Sequence, residues 1–497
     1  MQHTRAKNYT EWYQEVIAAA DMAENSPARG CMVIKPWGFG IWERIKDLLD
    51  RRIKATGHEN CYFPLFVPLS FFEKEAAHIE GFAKEMAMVT HTRLRMVDGK
   101  AKLEGELEEP LVVRPTSETI IADAFSRWIK SYRDLPVLVN QWANVVRWEM
   151  RPRLFLRTVE ILWQEGHTAH SSEAEAREEA LKMLEQYRQL AEEQLAIPVI
   201  VGDKAPHERF PGAVNTYTFE AMMQDGKALQ SGTSHYLGQG FAKAAEIKYQ
   251  DKEGKIEYVH TTSWGASTRL VGALIMAHGD DDGLRLPPAL APSQVVIVPI
   301  LKDDKDTPAV MAFCEKVKDS LDGAMALGEP LRVKIDTRDR KSQDKRWDWV
   351  KKGVPLVVEV GPRDMEKGEV CVVNRLNLKE KQFLKAEAFA SGAAAQLEQM
   401  QKELHAQALA YRDGNLRSDI TDFAAFKAYF GKKADFLGNG GAGFVRAWWC
   451  GDLETLKPLD EMAVTVRCIP FDQPGGKGIC VLTGREATQQ VVFGRSY

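Results

Sequence analysis

The chain has 497 residues, a formal net charge of −4 and 44% hydrophobic content, enough for two to four domains with sizeable cores. The near-neutral balance excludes a protein that coats polyanions over its whole surface, and leaves room for a local nucleic-acid face. Seven scattered cysteines exclude a disulfide framework, no signal-peptide pattern opens the sequence, and no apolar run approaches the ~20 residues of a membrane helix, so the expectation is a cytoplasmic protein with no membrane partner.

Residues 9–24 have the spacing of an amphipathic helix. Gly40 to Thr56 is predicted as a second helix, with Ile41, Ile45, Leu48, Leu49 and Ile53 on one face and Gly57 as its C-cap. Cys61 to Val67 follows as an apolar strand, demoted to an edge or an interface by Pro64. Residues 70–109 are charged and loop-rich, with a hairpin signal at Asp98-Gly99. Leu111 to Pro115 reads as a strand and Thr116 onward as a helix start. Thr116 or Ser117 would be the N-cap, with Glu118 and Thr119 in the first turn.

From Asn144 to His170 the sequence predicts two strands and a basic loop. The first strand is Asn144 to Met150. The second, Phe155 to Trp163, places Phe155, Arg157, Val159, Ile161 and Trp163 on one side. Arg147, Arg151, Arg153 and Arg157 crowd this hairpin, and guanidinium groups are suited to bidentate phosphate contacts. Glu165, His167 and His170 lack a known zinc spacing, and Trp163, Glu165 and His167 are read instead as lining a pocket floor. Ser172 to Leu195 is a packing helix, and Ile197 to Tyr258 a series of short strands and turns that includes the Ser/Thr-rich stretch Gly226 to Gly238. After a strand from Glu257 to Trp264, Gly265 to His278 is a helix with small residues and Arg269 at its start, a placement suited to an anion. The acidic run His278 to Gly283 reads as a solvated loop.

A second unit begins near Pro292, with strands and helices alternating as in an α/β domain with a mixed sheet. Between Arg338 and Lys352, basic residues interleave with Trp347 and Trp349, a composition suited to unstacked RNA bases. Residues 380–412 are Ala/Gln/Glu/Lys-rich and form a helical connector. Gly438 to Gly443 matches G-x-G-x-x-G literally. A charged helical segment precedes it, where a dinucleotide site needs a buried strand, and it is rejected as one.

Arg147-x-Glu149, the basic loop, Phe155 and Trp163-Gln164-Glu165-Gly166-His167 together resemble motif 2 of the class II aminoacyl-tRNA synthetases, in wording similar to the prolyl-tRNA synthetase family. Residues 40–68 resemble motif 1, the dimer interface, and 257–278 resemble motif 3. The resemblance implies an α+β fold: a class II antiparallel sheet flanked by helices (1–288), an α/β anticodon-binding domain (289–384), the connector (385–412) and a small α/β C-terminal domain (413–497). It implies a proline–tRNA ligase using ATP and Mg²⁺, acting on L-proline and tRNA(Pro) as a homodimer.

By that resemblance Arg147, Arg157 and Arg269 carry the chemistry. Arg147 would meet the α-phosphate and the amino-acid carboxylate, and Arg269 the γ-phosphate. Thr116 and Glu118 would receive the secondary ammonium of proline. Trp163, Glu165, His167, Phe210 and His235 would surround its ring. Glu149, Phe155 (stacked on adenine), Thr158, Gln230, Thr233 and Ser267 would complete the ATP site, with Gln230 near the Mg²⁺. The gap from His170 to Glu257 is too short for an editing insertion, which points to the archaeal and eukaryotic-like architecture. Of the C-terminal zinc ligands of this subgroup, Cys450 and Cys480 remain while their partners fall at Thr455 and Thr483, so no structural zinc is expected. Val350 stands where the family usually has an anticodon-reading Glu. The terminal Phe493-Gly494-Arg495-Ser496-Tyr497 would fold back towards the active site. The alternatives are a paralogue with a binding or regulatory role, and an adenylate-forming enzyme with another acceptor.

Overall fold

The computed structural model describes residues 1–73, 86–301, 307–431 and 443–497. Most of the glycine run at 438–443 lies outside them. Helix α1 (Tyr9–Ala19), capped by the Asn8 side chain on Glu11 N, buries Trp12, Tyr13, Val16 and Ile17. Helix α2 (Pro36–Ala55) starts four residues before the predicted Gly40, because Pro36 suits a first helical turn; it buries Ile41, Ile45, Leu49 and Ile53. Gly57 then takes a left-handed φ of 90°. The predicted strand Cys61 to Val67 is not continuous. It becomes β1 (Glu59–Asn60) and β2 (Phe66–Pro68), separated around Pro64, which has no N–H to give a ladder.

The stretch predicted as loop-rich contains a long hairpin, β3 (Ala87–Val97) and β4 (Lys100–Val113), turning at Asp98-Gly99 with both residues at positive φ. Helix α3 (Glu118–Trp128) follows. The motif 2 hairpin is shifted from its prediction. Strand β5 spans Val137–Val146 and β6 spans Glu160–His170, paired antiparallel from Val137↔Ala169 to Val146↔Glu160. Residues 147–159 form an irregular loop. Within it Arg153 N donates to Arg157 O at 2.6 Å, Arg157 N to Arg153 O at 2.9 Å, and Phe155 sits at φ 63°.

The core continues with α4 (Glu173–Gln189), β7 (Val199–Asp203), β8 (Asn215–Met222), β9 (Ala228–Gly238), β10 (His260–Ser267) and α5 (Arg269–His278). Then come β11 (Val295–Pro299), α6 (Thr307–Leu321), β12 (Val333–Ile335), α7 (Ser342–Lys351), β13 (Leu356–Val360), β14 (Glu369–Asn374) and β15 (Lys381–Lys385). These five strands form a mixed sheet in the order β12-β11-β13-β14-β15. The long helix α8 (Ala386–Gly414) buries Phe389, Leu397 and Met400 against that unit, and Gln401 Nε2 donates to Glu193 O at 2.8 Å on the core. The last segment supplies β16 (Leu416–Arg417), α9 (Phe423–Phe430), β17 (Phe444–Trp449), β18 (Thr465–Pro470) and β19 (Gln489–Gly494).

Eleven strands make one sheet, ordered β16-β17-β19-β18-β7-β8-β9-β10-β6-β5-β1. Its pairings are antiparallel except β1/β5 and β16/β17. Helices α1, α2, α4 and α5 share one hydrophobic core with it. The junction between the last segment and the rest is β18 on β7, with Ile469 opposite Asp203. Beside it lies a buried ion triad: Lys204 Nζ donates to Glu220 Oε1 at 2.9 Å and Arg467 Nη2 to Glu220 Oε2 at 3.1 Å. Burial raises the Glu220 carboxyl pKa, but Lys204 and Arg467 outweigh it and hold the group below its usual range.

Candidate active site

The middle of the sheet makes the floor. Period-two alternation along β6 turns Ile161, Trp163, Glu165 and His167 to one face, and β10 lies beside it with Ser263 opposite His167 and Gly265 opposite Glu165. Gly166 is required here: a Cβ on it would fall 2.0 Å from the Trp264 ring. Above this floor opens a cleft of about 400 Å³.

One part of the cleft is acidic. Glu165 Oε1 accepts from Ser117 Oγ (2.5 Å), Gln141 Nε2 (2.5 Å) and Trp163 Nε1 (3.3 Å). Ser117 stands at the N-cap position of α3, but its hydroxyl is spent on Glu165 and does not cap the helix. His167 Nε2 lies 3.0 Å from Glu165 Oε2. Burial lowers the His167 pKa, but the hydrogen bond and charge of Glu165, with the charge of Glu118, raise it overall. Thr116 Oγ1 donates to the Glu118 carboxylate.

His235 is held neutral beside these groups. Thr216 Oγ1 accepts from Phe210 N at 2.9 Å, which leaves its own hydrogen for His235 Nδ1 at 3.0 Å; Nε2–H then donates to Thr233 Oγ1 at 3.0 Å. Burial pushes the His235 pKa down to about 4. The Phe210 ring packs 4.7 Å from the imidazole. The result is an apolar, ring-lined recess with carboxylates at hand.

The other part is cationic. Arg147 lies over Trp163, 5.3 Å from its centroid, and its Nε donates to Pro115 O at 2.8 Å. Arg269, at the start of α5, reaches Leu156 O (3.3 Å) and Gln230 O (3.2 Å). Burial, then the charges of Arg157 and Arg147, push its pKa down to about 10. An anion bound among the three guanidinium groups relieves that repulsion. Arg157 itself is 47% exposed at the rim, with Nη2 3.0 Å from Tyr497 O and Nη1 4.0 Å from Glu149 Oε2. The terminal segment thus folds back, with Ala228 N donating to Arg495 O at 2.7 Å.

The predicted residues Thr116, Glu118, Arg147, Trp163, Glu165, His167, Phe210, Gln230, Thr233, His235, Ser267 and Arg269 all line this cleft. Glu149, Phe155, Arg157 and Thr158 do not. Thr158 is buried and its hydroxyl donates to Glu160 O at 2.6 Å. Phe155 is 2% exposed and belongs to the hydrophobic core. Its expected place on a strand face is corrected by the 153–157 turn, and the ring offers no open face for a base. Sequence reasoning assigned no role to Ile161, Arg209, Ser263 and Trp264, which also line the cleft. For Ile161 the signal was present in the β6 alternation; Arg209 beside Phe210 carried none.

In the second unit Trp349 is buried and its Nε1 donates to Asp336 Oδ2 at 2.8 Å, so of the two interleaved tryptophans only Trp347 is exposed. Val350 is 3% exposed and sits in the interior. In the last segment Cys450, Cys480, Thr455 and Thr483 do not supply four metal ligands. Among the described residues no group of three or more His, Cys, Asp or Glu side chains is placed to hold a metal.

The six strands β7-β8-β9-β10-β6-β5, antiparallel throughout and carrying Arg147 and Arg269 over their face, have the layout of the class II aminoacyl-tRNA synthetase core. Comparison with known proteins agrees: residues 102–278 match the family described as tRNA synthetase class II core domain (G, H, P, S and T), 294–395 an anticodon binding domain, and 434–497 the C-terminal domain of prolyl-tRNA synthetase. The chain is 60% identical over 500 residues to the proline–tRNA ligase of Paramagnetospirillum magneticum, spanning 99% of this chain and 98% of that one. It is 58% identical to the proline–tRNA ligase of Protochlamydia amoebophila over similar coverage. A crystal structure of prolyl-tRNA synthetase from Cryptosporidium parvum, complexed with halofuginone and AMPPNP, superposes with a TM-score of 0.88 at 38% identity, covering 100% of this chain and 96% of that one. The chain belongs to the prolyl-tRNA synthetase (proline–tRNA ligase) family.

Proposed function

We propose that this chain activates L-proline with ATP and transfers it to tRNA(Pro). The observation that carries the reading is the charge layout of one cleft: Glu118, Glu165 and His167 beside a neutral His235, with Arg147 and Arg269 in the same cavity. Glu118 and Thr116 would take the secondary ammonium, and Trp163, Phe210 and His235 the ring. A carboxylate partner for a charged nitrogen is worth most where water is excluded. Arg147 would hold the substrate carboxylate against the α-phosphate. Arg269 would take the γ-phosphate, with Arg157 at the rim and Glu149, Thr158, Gln230, Thr233 and Ser267 around ATP.

In the first step the proline carboxylate oxygen attacks the α-phosphorus. A new P–O bond forms, the bond to the β-phosphate oxygen breaks, and pyrophosphate leaves. The chain supplies no nucleophile; its arginines position and neutralise. In the second step a terminal ribose hydroxyl of tRNA attacks the acyl carbon and releases AMP. The cleft offers no protein cage for Mg²⁺, and the neutral side chain of Gln230 fits an ion that arrives on the ATP phosphates and keeps its waters. That ion would neutralise phosphate charge.

The domain limits proposed are 1–288, 289–384, 385–412 and 413–497. Between β6 and β10 the strands are three of the core sheet and one short two-stranded hairpin (Lys248–Gln250 with Ile256–Tyr258), with no room for a further domain, which supports an architecture without an editing insertion, like that of archaeal and eukaryotic members. Relatives matched over 98% of their length are bacterial, so the proposal concerns architecture and not lineage. A cytoplasmic homodimer without structural zinc completes the reading. No helix among the described residues is long and apolar enough to cross a membrane. The test is proline-dependent ATP–pyrophosphate exchange, followed by charging of total tRNA. Exchange with charging supports the ligase. Exchange without charging points to a different acceptor, and neither activity points to a binding paralogue.

A further inference from the structure

The buried ion triad reaches from the last segment to the cationic end of the cleft. Thr216, Thr218 and Glu220 follow one another on the cleft face of β8, and Thr216 lines the cleft itself. Phe219, on the other face, packs into the main core. Lys204 Nζ bridges Glu220 Oε1 and Arg467 O (2.8 Å), and stands 3.5 Å from Glu208 Oε2 in the cleft wall. Arg467 Nη2 lies 3.3 Å from Glu220 Oε1 and 3.1 Å from Oε2, and its Nη1 donates to Thr465 Oγ1 at 2.9 Å. Arg467 is the member that the last segment contributes, from β18.

Glu220 stands opposite Gln230 across the β8/β9 ladder. The register slips there: Phe219 pairs with Gly232 and Glu220 with Gln230, so Ser231 is an extra residue on β9. Plain alternation would turn Gln230 to the side of Gly232, where a Cβ on Gly232 would meet the Phe219 ring at 2.5 Å. The bulge turns Gln230 to the side of Glu220 instead, into the cleft. The same residue anchors Arg269, whose Nη1 donates to Gln230 O at 3.2 Å. After burial and the charges of Arg157 and Arg147, Glu220 raises the Arg269 pKa and Arg467 lowers it, as charges within reach of that guanidinium do. Loss of Arg467 would leave Glu220 buried and half paired. Its carboxylate would then turn, and the strand would shift where a bulge already weakens the ladder.

We infer that Arg467 is a positioning residue for the ATP phosphates: through Glu220 it fixes the β9 bulge that aims Gln230 into the cleft and holds Arg269 in place. The inference rests on the ATP-activating reading given above. It makes the last segment part of the ATP site, although Arg467 does not itself line the cleft.

The experiment titrates the full chain with MgATP by calorimetry and, beside it, measures proline-dependent ATP–pyrophosphate exchange. Arg467→Gln should weaken ATP binding about ten- to a hundredfold, the scale of a displaced binding group, with the KM for proline unchanged. Arg467→Lys keeps a cation on Glu220 and should restore much of the affinity. Ile469→Ala is the control. It loosens β18 on β7 away from the triad, and should lower the melting temperature while ATP binds as in the parent. Should Arg467→Gln fail to fold, Thr465→Ala replaces it: this change frees one arm of the guanidinium at an exposed position and should weaken ATP binding by a few-fold. ATP binding at the parent's strength in the folded variant overturns the inference. So does an equal loss in Ile469→Ala, which would mark a role in stability alone. A parent that binds ATP but runs no proline-dependent exchange overturns the ligase reading, and the ATP titrations still decide the role of Arg467.

Discussion

Glu165 and His167 sit two residues apart on one strand and meet side by side, Oε2 to Nε2, at 3.0 Å in the cleft floor. The raised His167 pKa means that the folded chain holds this proton more tightly than the unfolded chain. The resulting stabilisation is fully present below the unfolded histidine value of about 6.5 and is lost as pH rises through the folded value. Glu165→Gln should remove that dependence. Thermal unfolding of both proteins across neutral to alkaline pH checks it: the variant's midpoint should lack the decline shown by the parent.

Arg147→Ala should lower proline-dependent ATP–pyrophosphate exchange by about a hundred- to a thousandfold, the usual cost of removing a group aimed at developing charge. The fold should survive, since Arg147 packs on the open side of Trp163. Exchange at the parent rate would sink the assignment of the motif 2 arginine.

Three buried histidines behave oppositely to His167. Burial pushes His170, His235 and His278 down to about 4. Their unfolded forms take up protons first, so stability is intact above pH ~6.5 and falls as pH drops towards 4, by on the order of 3 kcal/mol for each group. Acid unfolding of His278→Gln should show a shallower slope. This histidine is the one to change, because it lies outside the cleft and its Nε2 meets a backbone oxygen, Leu195 O, at 2.8 Å.

Phe155→Ala distinguishes core packing from base stacking. A phenylalanine that is 2% exposed and packed in the main hydrophobic cluster should cost about 3–5 kcal/mol on truncation. Chemical denaturation should register that loss, while the KM for ATP in folded protein should change little. A large KM change without destabilisation would return the ring to the adenine site.

Gly166→Ala should disturb proline binding from beneath. The added methyl meets Trp264 at 2.0 Å, and the ring must move. Overpacking of this kind costs about 1–3 kcal/mol. The KM for proline should rise more than that for ATP, measured by exchange at varied concentrations of each.

Much of the site is written locally. The alternation from Ile161 to His167 is a strand pattern, and it delivers the floor residues in register. The start of the partner strand was hidden because Asn140 and Gln141 look like loop residues. They are buried, with Asn140 Nδ2 bonded to Asn60 at 2.7 Å and Gln141 bonded to Glu165. The hairpin from Ala87 to Val113 does alternate, with Lys100, Lys102, Glu104, Glu106 and Glu108 set between Ala101, Leu103 and Leu107, but the pattern is easily passed over because Leu94, Met96 and Leu103 are exposed too and neither face there is a buried one. The turn that buries Phe155 needs a left-handed backbone at a bulky residue, and no composition rule announces that. Val350 looked like an altered base reader, yet a side chain packed inside its unit cannot meet a base. Such facts depend on which partners arrive from far along the chain.

The hydrogen bonds from β18 to β7 carry one further consequence. The sheet runs on from β18 through β7 to β8, clamped beside the junction by Lys204, Glu220 and Arg467, so the last segment should melt in one transition with the rest. It stands or falls with the catalytic floor.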